Sequence, residues 1–501
     1  MFAAPIDGLC DPQRWRRTAL GLAAAYAAVW TLYGVIAKSS QDINADVAEM
    51  LIWAHEPALG YPKHPPLLAY VVRLWFSIFP AADWAFTLLA MVIVAAGIYL
   101  AVELTGLWLD GNKRAAAPFL LAAIPLNNFL ALKLDPNSAL IPLWALTTWA
   151  FVHALRTRRA GWAVLTGLAA AAAMLTKYWS GFLLAAMVLA AVCDERRRDY
   201  WRSSAPWIAA GVFVLAVLPH GVWLVQQHFP PLTWIETRRA AHSAGDLIGS
   251  FAEYGGGTIG YASAALGLAA ILFRPSGAAV RDSWFALEPA RRPATLLFWT
   301  LLLLPLLVAI ATRTTLLSLW NAPALGLLPV MMLASPRVVV SRLAVMRLAA
   351  VVTTLTLGVL AASPLVALTI LKRGVENNAA YPRLAAAAIE RQWRETTNAP
   401  LRILGGRFTL VTSTAFYMSE SPLTYADFST YLSPWLDPSR IAQDGLAIIC
   451  SADDPWCLGK IEQYLGGNPA GRRSDVTLRR HWLGFAGPAK NFVIATVPPR
   501  S

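Results

Sequence analysis

Long apolar runs broken by short polar segments fill the first three quarters of the chain. Reading each run as a membrane-crossing helix predicts about eleven spans, near 18–37, 84–108, 115–126, 138–155, 161–176, 179–193, 206–225, 258–273, 295–311, 315–334 and 348–371. The pattern changes near residue 372. From there a polar helix-like stretch (PRLAAAAIERQWRE) is followed by the strand-like runs LRILGG, FTLVTS and GLAIIC and a closing strand, NFVIATV. This alternation is that of a small soluble α/β domain. The expected fold is therefore an all-α polytopic membrane domain over 1–371, with a small α/β domain over 372–501.

Composition narrows the class. Apolar residues make up 57% of the chain and charged residues only 14%, against about 25% charged in ordinary soluble domains. So few charges cannot cover a surface that faces water, which excludes a soluble enzyme, a disordered chain and a nucleic-acid-binding domain. The 42 Lys and Arg outnumber the 29 Asp and Glu, giving a net +13, and their placement explains the excess. Clusters at Arg14/Arg16/Arg17, Lys113/Arg114, Arg156/Arg158/Arg159, Arg196/Arg197/Arg198/Arg202, Arg274/Arg281/Arg291/Arg292 and Arg337/Arg342/Arg347 fall in alternate loops. The positive-inside rule makes those loops cytoplasmic and puts the intervening loops and the C-terminal domain outside. The first apolar run is too long for a signal peptide and reads as a retained helix. Cys450 and Cys457, in CSADDPWC, suit a local disulfide in an oxidising compartment, while Cys10 and Cys193 fall on the reducing side.

The outer loops carry the chemistry. In the first, residues 45–55 have helical spacing that places Asp46, Glu49, Met50 and Trp53 on one face, suited to a helix lying along the membrane surface. A second short helix is expected over 67–79. Between them, GYPKHPP is stiffened by its prolines, and Lys63 and His64 project from it. The second outer loop offers Asp135, and the loop after the seventh span offers His220, Glu236, Arg238 and Arg239. Carboxylates and cations at the end of an apolar groove suit a lipid phosphate together with a nucleophile. Plainer roles compete. Asn44 or Asp46 could cap a helix, Asp135-Pro136 reads as an N-cap followed by proline at the first helical position, Lys177 could snorkel from a helix break, and the two arginines could anchor headgroups.

Asp46-Val-Ala-Glu49-Met-Leu-Ile-Trp53, followed by Gly60-Tyr-Pro-Lys63-His64-Pro-Pro66, resembles the first-loop signature of bacterial glycosyltransferases of the protein O-mannosyltransferase-like family (family 39). These belong to the C-type superfamily that uses polyprenyl-phosphate sugars. Lys133-Leu-Asp135-Pro136, Thr176-Lys177-Tyr178 and Pro219 to Trp223 resemble further segments of that family. The resemblance covers residues 40–240. It implies a multi-pass enzyme of the bacterial inner membrane with a periplasmic active site. Such an enzyme passes a sugar from a polyprenyl-phosphate donor to a cell-envelope glycan, lipid or protein acceptor. By the same resemblance Asp46 is the general base and Asp135 a second catalytic residue, with Lys177 and Tyr178 in substrate-binding segments. Lys63, His64, Arg238 and Arg239 are the cations read as receiving the leaving lipid phosphate's charge, and Glu49, one turn from Asp46, is a further substrate-binding candidate.

The chain departs from the pattern at Val47 and Lys63, where the family carries Glu and Asp. The aminoarabinose transferases of the superfamily hold zinc through a Glu in the first loop and a His in the later one, where this chain has Lys63 and Thr237. Zinc is therefore not expected and no metal ligand is assigned, although another divalent ion stays open as a cofactor. The alternative class is a transporter or flippase of lipid-linked sugars. It would place ionisable groups near the membrane midplane and show repeated halves, whereas here the carboxylates sit at helix ends and no repeat is visible.

Overall fold

The computed structural model describes residues 3–286, 288–375, 378–466 and 470–499. Among them, seven helices are long and apolar enough to cross a membrane: Trp15–Ala37, Asp83–Thr105, Pro136–Thr157, Ala205–Gln226, Ala244–Phe273, Arg292–Thr312 and Arg342–Arg373. Shorter apolar helical segments cover Leu67–Phe76, Ala160–Thr176, Tyr178–Cys193 and Ser318–Leu333.

Several boundaries read from hydropathy are corrected. The apolar run at 315–334 is not one α-helix but a 3-10 segment, Ser318–Leu327, followed by a single short helix, Leu328–Leu333. Pro323 and Pro329 each remove a backbone donor there, and buried Asn321 instead bonds sideways, accepting from Tyr254 Oη (2.7 Å) and donating to Thr258 Oγ1 (2.7 Å). The run at 115–126 is the twelve-residue helix Gly111–Ala122. The helix expected from 258 begins at Ala244, because Ser243 and Asp246 form a capping box that the apolar count could not register. Pro219 and His220, read as part of an outer loop, lie inside the helix Ala205–Gln226.

Contacts divide the chain into two compact units, one of residues 1–31, 59–68 and 87–358, the other of 32–58, 69–86 and 359–501. In the first, Pro136–Thr157 packs on Ala160–Thr176, which packs in turn on Ala205–Gln226. Gly167 sets that second spacing: a Cβ there would lie 2.5 Å from the Ala209 carbonyl oxygen. Small residues at such crossings let helix backbones approach where lipid gives no hydrophobic drive.

The second unit is built on a five-stranded sheet of order β2-β1-β3-β5-β4. Its strands are β1 (Ile403–Gly406), β2 (Leu423–Ala426), β3 (Leu446–Ser451), β4 (Arg472–Trp482) and β5 (Phe485–Val497). β2, β1 and β3 are parallel, and β5 runs antiparallel to both β3 and β4. Helix Pro382–Thr396 matches the polar stretch read from sequence. FTLVTS is corrected from strand to helix, Phe408–Phe416; a short run buried all round carries no period that separates the two states. Cys450 and Cys457 are bonded, with Cα atoms 5.6 Å apart.

The helix Ala45–His55 belongs to this second unit, and residues 47–54 are all buried. It is therefore not a helix with one face on the membrane surface. Ile52 joins Ile389, Trp393, Leu410 and Val411 in the core beneath the sheet. At its end Arg73 donates to the Ala54 carbonyl oxygen at 2.9 Å, one of the last-turn acceptors of the helix. Asp42, its carboxylate fully buried, is held by Arg480 and Arg383.

Candidate active site

Within the first unit, helix Pro136–Thr157 starts at Asp135. The Asp135 carboxylate accepts from Ser138 N (2.9 Å) and Ser138 Oγ (2.7 Å) through one oxygen, and from Asn137 Nδ2 (2.9 Å) through the other. The capping role is thus real, with Pro136 at the first helical position. Asn137 extends it, since its amide oxygen accepts from Lys177 Nζ. One side-chain amide thereby links the carboxylate to the ammonium.

Lys177 sits at the break after Ala160–Thr176, in extended backbone (φ −160°, ψ 133°), so its side chain leaves the helix line. Nζ lies 4.8 Å from the centre of the Trp320 ring, and Arg239 Cζ approaches the same ring at 5.5 Å. Trp179 packs beside it, ring centres 4.6 Å apart. Burial pushes Lys177 down to about 7, with Asp135 opposing and Arg239 adding to the shift. Arg239 ends helix Pro230–Arg239, and its Nε is buried with no hydrogen-bond partner among the described residues. A buried, unsatisfied guanidinium donor is costly, and a bound anion would satisfy it.

The GYPKHPP segment folds into a turn in which Tyr61 N donates to the His64 carbonyl oxygen at 3.1 Å. It rests on Ala205–Gln226 through Gly60: a Cβ there would meet the Trp223 ring at 2.4 Å and His220 Cε1 at 2.9 Å. His220 Nδ1 lies 2.6 Å from the Leu59 carbonyl oxygen, and its Nε2 lies 2.9 Å from Tyr178 Oη. A carbonyl only accepts, so Nδ1 carries the proton and Tyr178 donates to Nε2. His64 is held down to about 3 by burial, then by the charges of Lys177 and Lys63, and is a neutral imidazole at physiological pH.

Of the residues picked from sequence, the first unit brings together Asp135, Lys177, Arg239 and His64, with Lys63 and Tyr178 beside them. Arg238 is exposed and has no part in the Trp320 cluster. Asp46 and Glu49 lie in the second unit, Asp46 half-buried and Glu49 buried. The cap of their helix is Asn44, whose side chain accepts from Asp46 N at 3.0 Å, so the helix does not need the Asp46 carboxylate for that role. Sequence reasoning missed Asn137 and Trp320. Asn137 stood two residues from a chosen aspartate, but Trp320 lay in a run read as a membrane span. Among the described residues no three His, Cys, Asp or Glu side chains gather as a metal site.

The family model described as dolichyl-phosphate-mannose-protein mannosyltransferase matches residues 63–223, which bears out the resemblance seen in the sequence. The fold is that of ArnT from Cupriavidus metallidurans bound to undecaprenyl phosphate, with a TM-score of 0.62 at 15% identity over 95% of this chain and 98% of that one. The apo form of the same protein gives 0.62 at 14% identity, again over 95% and 98%. The Archaeoglobus fulgidus oligosaccharyltransferase in complex with Zn and sulfate is more distant, at a TM-score of 0.45 and 11% identity over 87% of this chain and 68% of that one. No curated protein matches in sequence.

Proposed function

We propose that this protein transfers a sugar from a polyprenyl-phosphate donor to a hydroxyl of a cell-envelope glycan, lipid or protein, on the periplasmic face of a bacterial inner membrane. The observation that supports it most is the half-buried cation pair of Lys177 and Arg239 around Trp320. It holds one depressed ammonium and one unsatisfied guanidinium donor, and a lipid phosphate would complete both. The ArnT structure of the same fold was solved with undecaprenyl phosphate, and the proposal carries that ligand class to this chain. The phosphate then leaves without protonation, because cations receive its charge. Asp135 acts through Asn137 by fixing the Lys177 ammonium. Lys63, His64, Tyr178 and Arg238 are assigned to the donor's surroundings and Glu49 to the acceptor's.

Asp46 is assigned as the general base that takes the acceptor hydroxyl's proton as it attacks the anomeric carbon. The test is Asp46→Asn in proteoliposomes supplied with a polyprenyl-phosphate sugar, at matched protein amounts. The amide is nearly isosteric but takes no proton at neutral pH, so transfer should fall roughly a hundredfold or more with the fold intact. Asp135→Asn, which can still cap a helix, should lose activity only in part. Near-full activity in Asp46→Asn would assign the base elsewhere. Movement of the donor across the bilayer without transfer would favour the flippase reading.

A further inference from the structure

The β4–β5 hairpin outruns the domain that carries it. The core ends at Leu478 on β4 and Phe492 on β5. Beyond them the ladder continues through Arg479 opposite Ala489, His481 opposite Ala486 and Trp482 opposite Phe485, a projection of roughly 20 Å at strand rise. It closes over Leu483 and Gly484, whose φ values of 47° and 84° are the left-handed pair of a two-residue hairpin turn. Leu483 is 77% exposed and Phe485 50%, and Ala486, Pro488 and Ala489 are exposed as well. A bulky apolar residue at a left-handed turn position, at the end of a two-stranded ribbon, is a poor choice for water.

The surroundings of the hairpin give its direction. Tyr381 Oη donates to the Pro488 carbonyl oxygen at 3.2 Å. One residue nearer the tip, a Cβ on Gly487 would lie 3.2 Å from Leu371, within the last turn of helix Arg342–Arg373. Nearer still, the Phe485 ring centre is 6.0 Å from Lys372 Nζ. As the hairpin advances, its partners move back from residue 381 to the end of the long helix. The other strand gives the same level: Arg480 donates to the Ser39 carbonyl oxygen at 3.2 Å and pairs with Asp42, just past the end of helix Trp15–Ala37. Two apolar helices thus end at the height of Arg480 and Gly487, with Phe485 beside Lys372 in the last helical turn and Trp482 and Leu483 farther along the hairpin.

We propose that the tip of this hairpin is seated in the bilayer leaflet at which helix Arg342–Arg373 ends. Leu483 enters the acyl boundary, and the paired Trp482 and Phe485 lie at the interface. Lys372, Arg373 and Arg479 ring the tip at headgroup height, where cations meet lipid phosphates. The two helix ends fix the height of the tip, which is why the occupant is lipid. This inference does not depend on the proposed reaction.

The test uses full-length protein in proteoliposomes, with Cys10→Ser and Cys193→Ser, and an environment-sensitive fluorophore on Leu483→Cys. Asp475→Cys, exposed at the opposite end of β4, reports the aqueous side of the same strand. The expected result at 483 is blue-shifted emission, loss of signal with acyl-chain nitroxide lipids and no loss with aqueous iodide; position 475 should show the reverse. Iodide quenching at 483 would overturn the proposal. So would protection from both quenchers, which would mean that protein, such as a second copy of the chain, covers the tip. A Phe485→Asn variant, whose side chain lies on the neighbouring strand, should move the 483 fluorophore toward water while leaving the 475 signal unchanged.

Discussion

Lys177 shows how one charged side chain becomes chemically specific. Its place at a helix break is visible in the sequence, but what tunes it is not, since Asn137, Trp320 and Arg239 arrive from three other segments. In the unfolded chain it titrates near 10.5, and burial brings it down to about 7. The depressed value therefore costs stability below about 7, and the cost fades as pH rises toward 10.5. Binding of an anion has the opposite preference. It favours the ammonium, so the site takes up a proton on binding above pH 7, and affinity for a polyprenyl phosphate should fall as pH rises through about 7. Calorimetry in two buffers of different ionisation enthalpy measures that proton directly. Lys177→Arg, charged at every pH, should flatten the dependence. An affinity in the native protein that is constant between about pH 6 and 8.5 would remove the phosphate from beside Lys177. His64, already neutral, should add no inflection near its ordinary value.

The helix Ala45–His55 was legible in extent and wrong in setting. Its spacing and Asn44 cap gave the ends, and two carboxylates beside Trp53 suggested an interfacial face. Instead Ile52 is part of the C-terminal core. Ile52→Ala should therefore destabilise the C-terminal domain, by about 2–5 kcal/mol if the cavity does not close, although the two are more than 300 residues apart in sequence. Protease resistance of the region after residue 382 would report it, and an unchanged digestion profile would contradict the packing. GYPKHPP shows the converse. Its prolines announced a rigid turn, but only the packed helix explains Gly60, since no side chain fits between the backbone and the rings of Trp223 and His220.

For the molecule as a whole, the basic clusters set the topology to be tested. Arg198, in the short helix Arg197–Arg202 that precedes helix Ala205–Gln226, and His242, beyond its other end, are both exposed. In intact cells His242→Cys should react with a membrane-impermeant thiol reagent and Arg198→Cys should not, until the membrane is opened. The reversed pattern would invert every loop assignment, and the active site with them.

Sequence alone determined that the chain lives in a bilayer, because 57% apolar residues in long runs leave no other solvent. It also determined where most helices lie, that a mixed α/β domain follows, and which short motifs carry charge. These are properties of hydropathy period, capping chemistry and proline geometry, all local along the chain. Tertiary structure decided the rest: that 315–334 is a 3-10 segment presenting Trp320, that FTLVTS is a helix, and that the first loop is shared between two compact units. It also decided that Lys177 and Arg239 meet at one ring. Those outcomes depend on contacts between residues far apart in sequence, where burial and neighbouring charge set both secondary structure and protonation, and no local pattern records them.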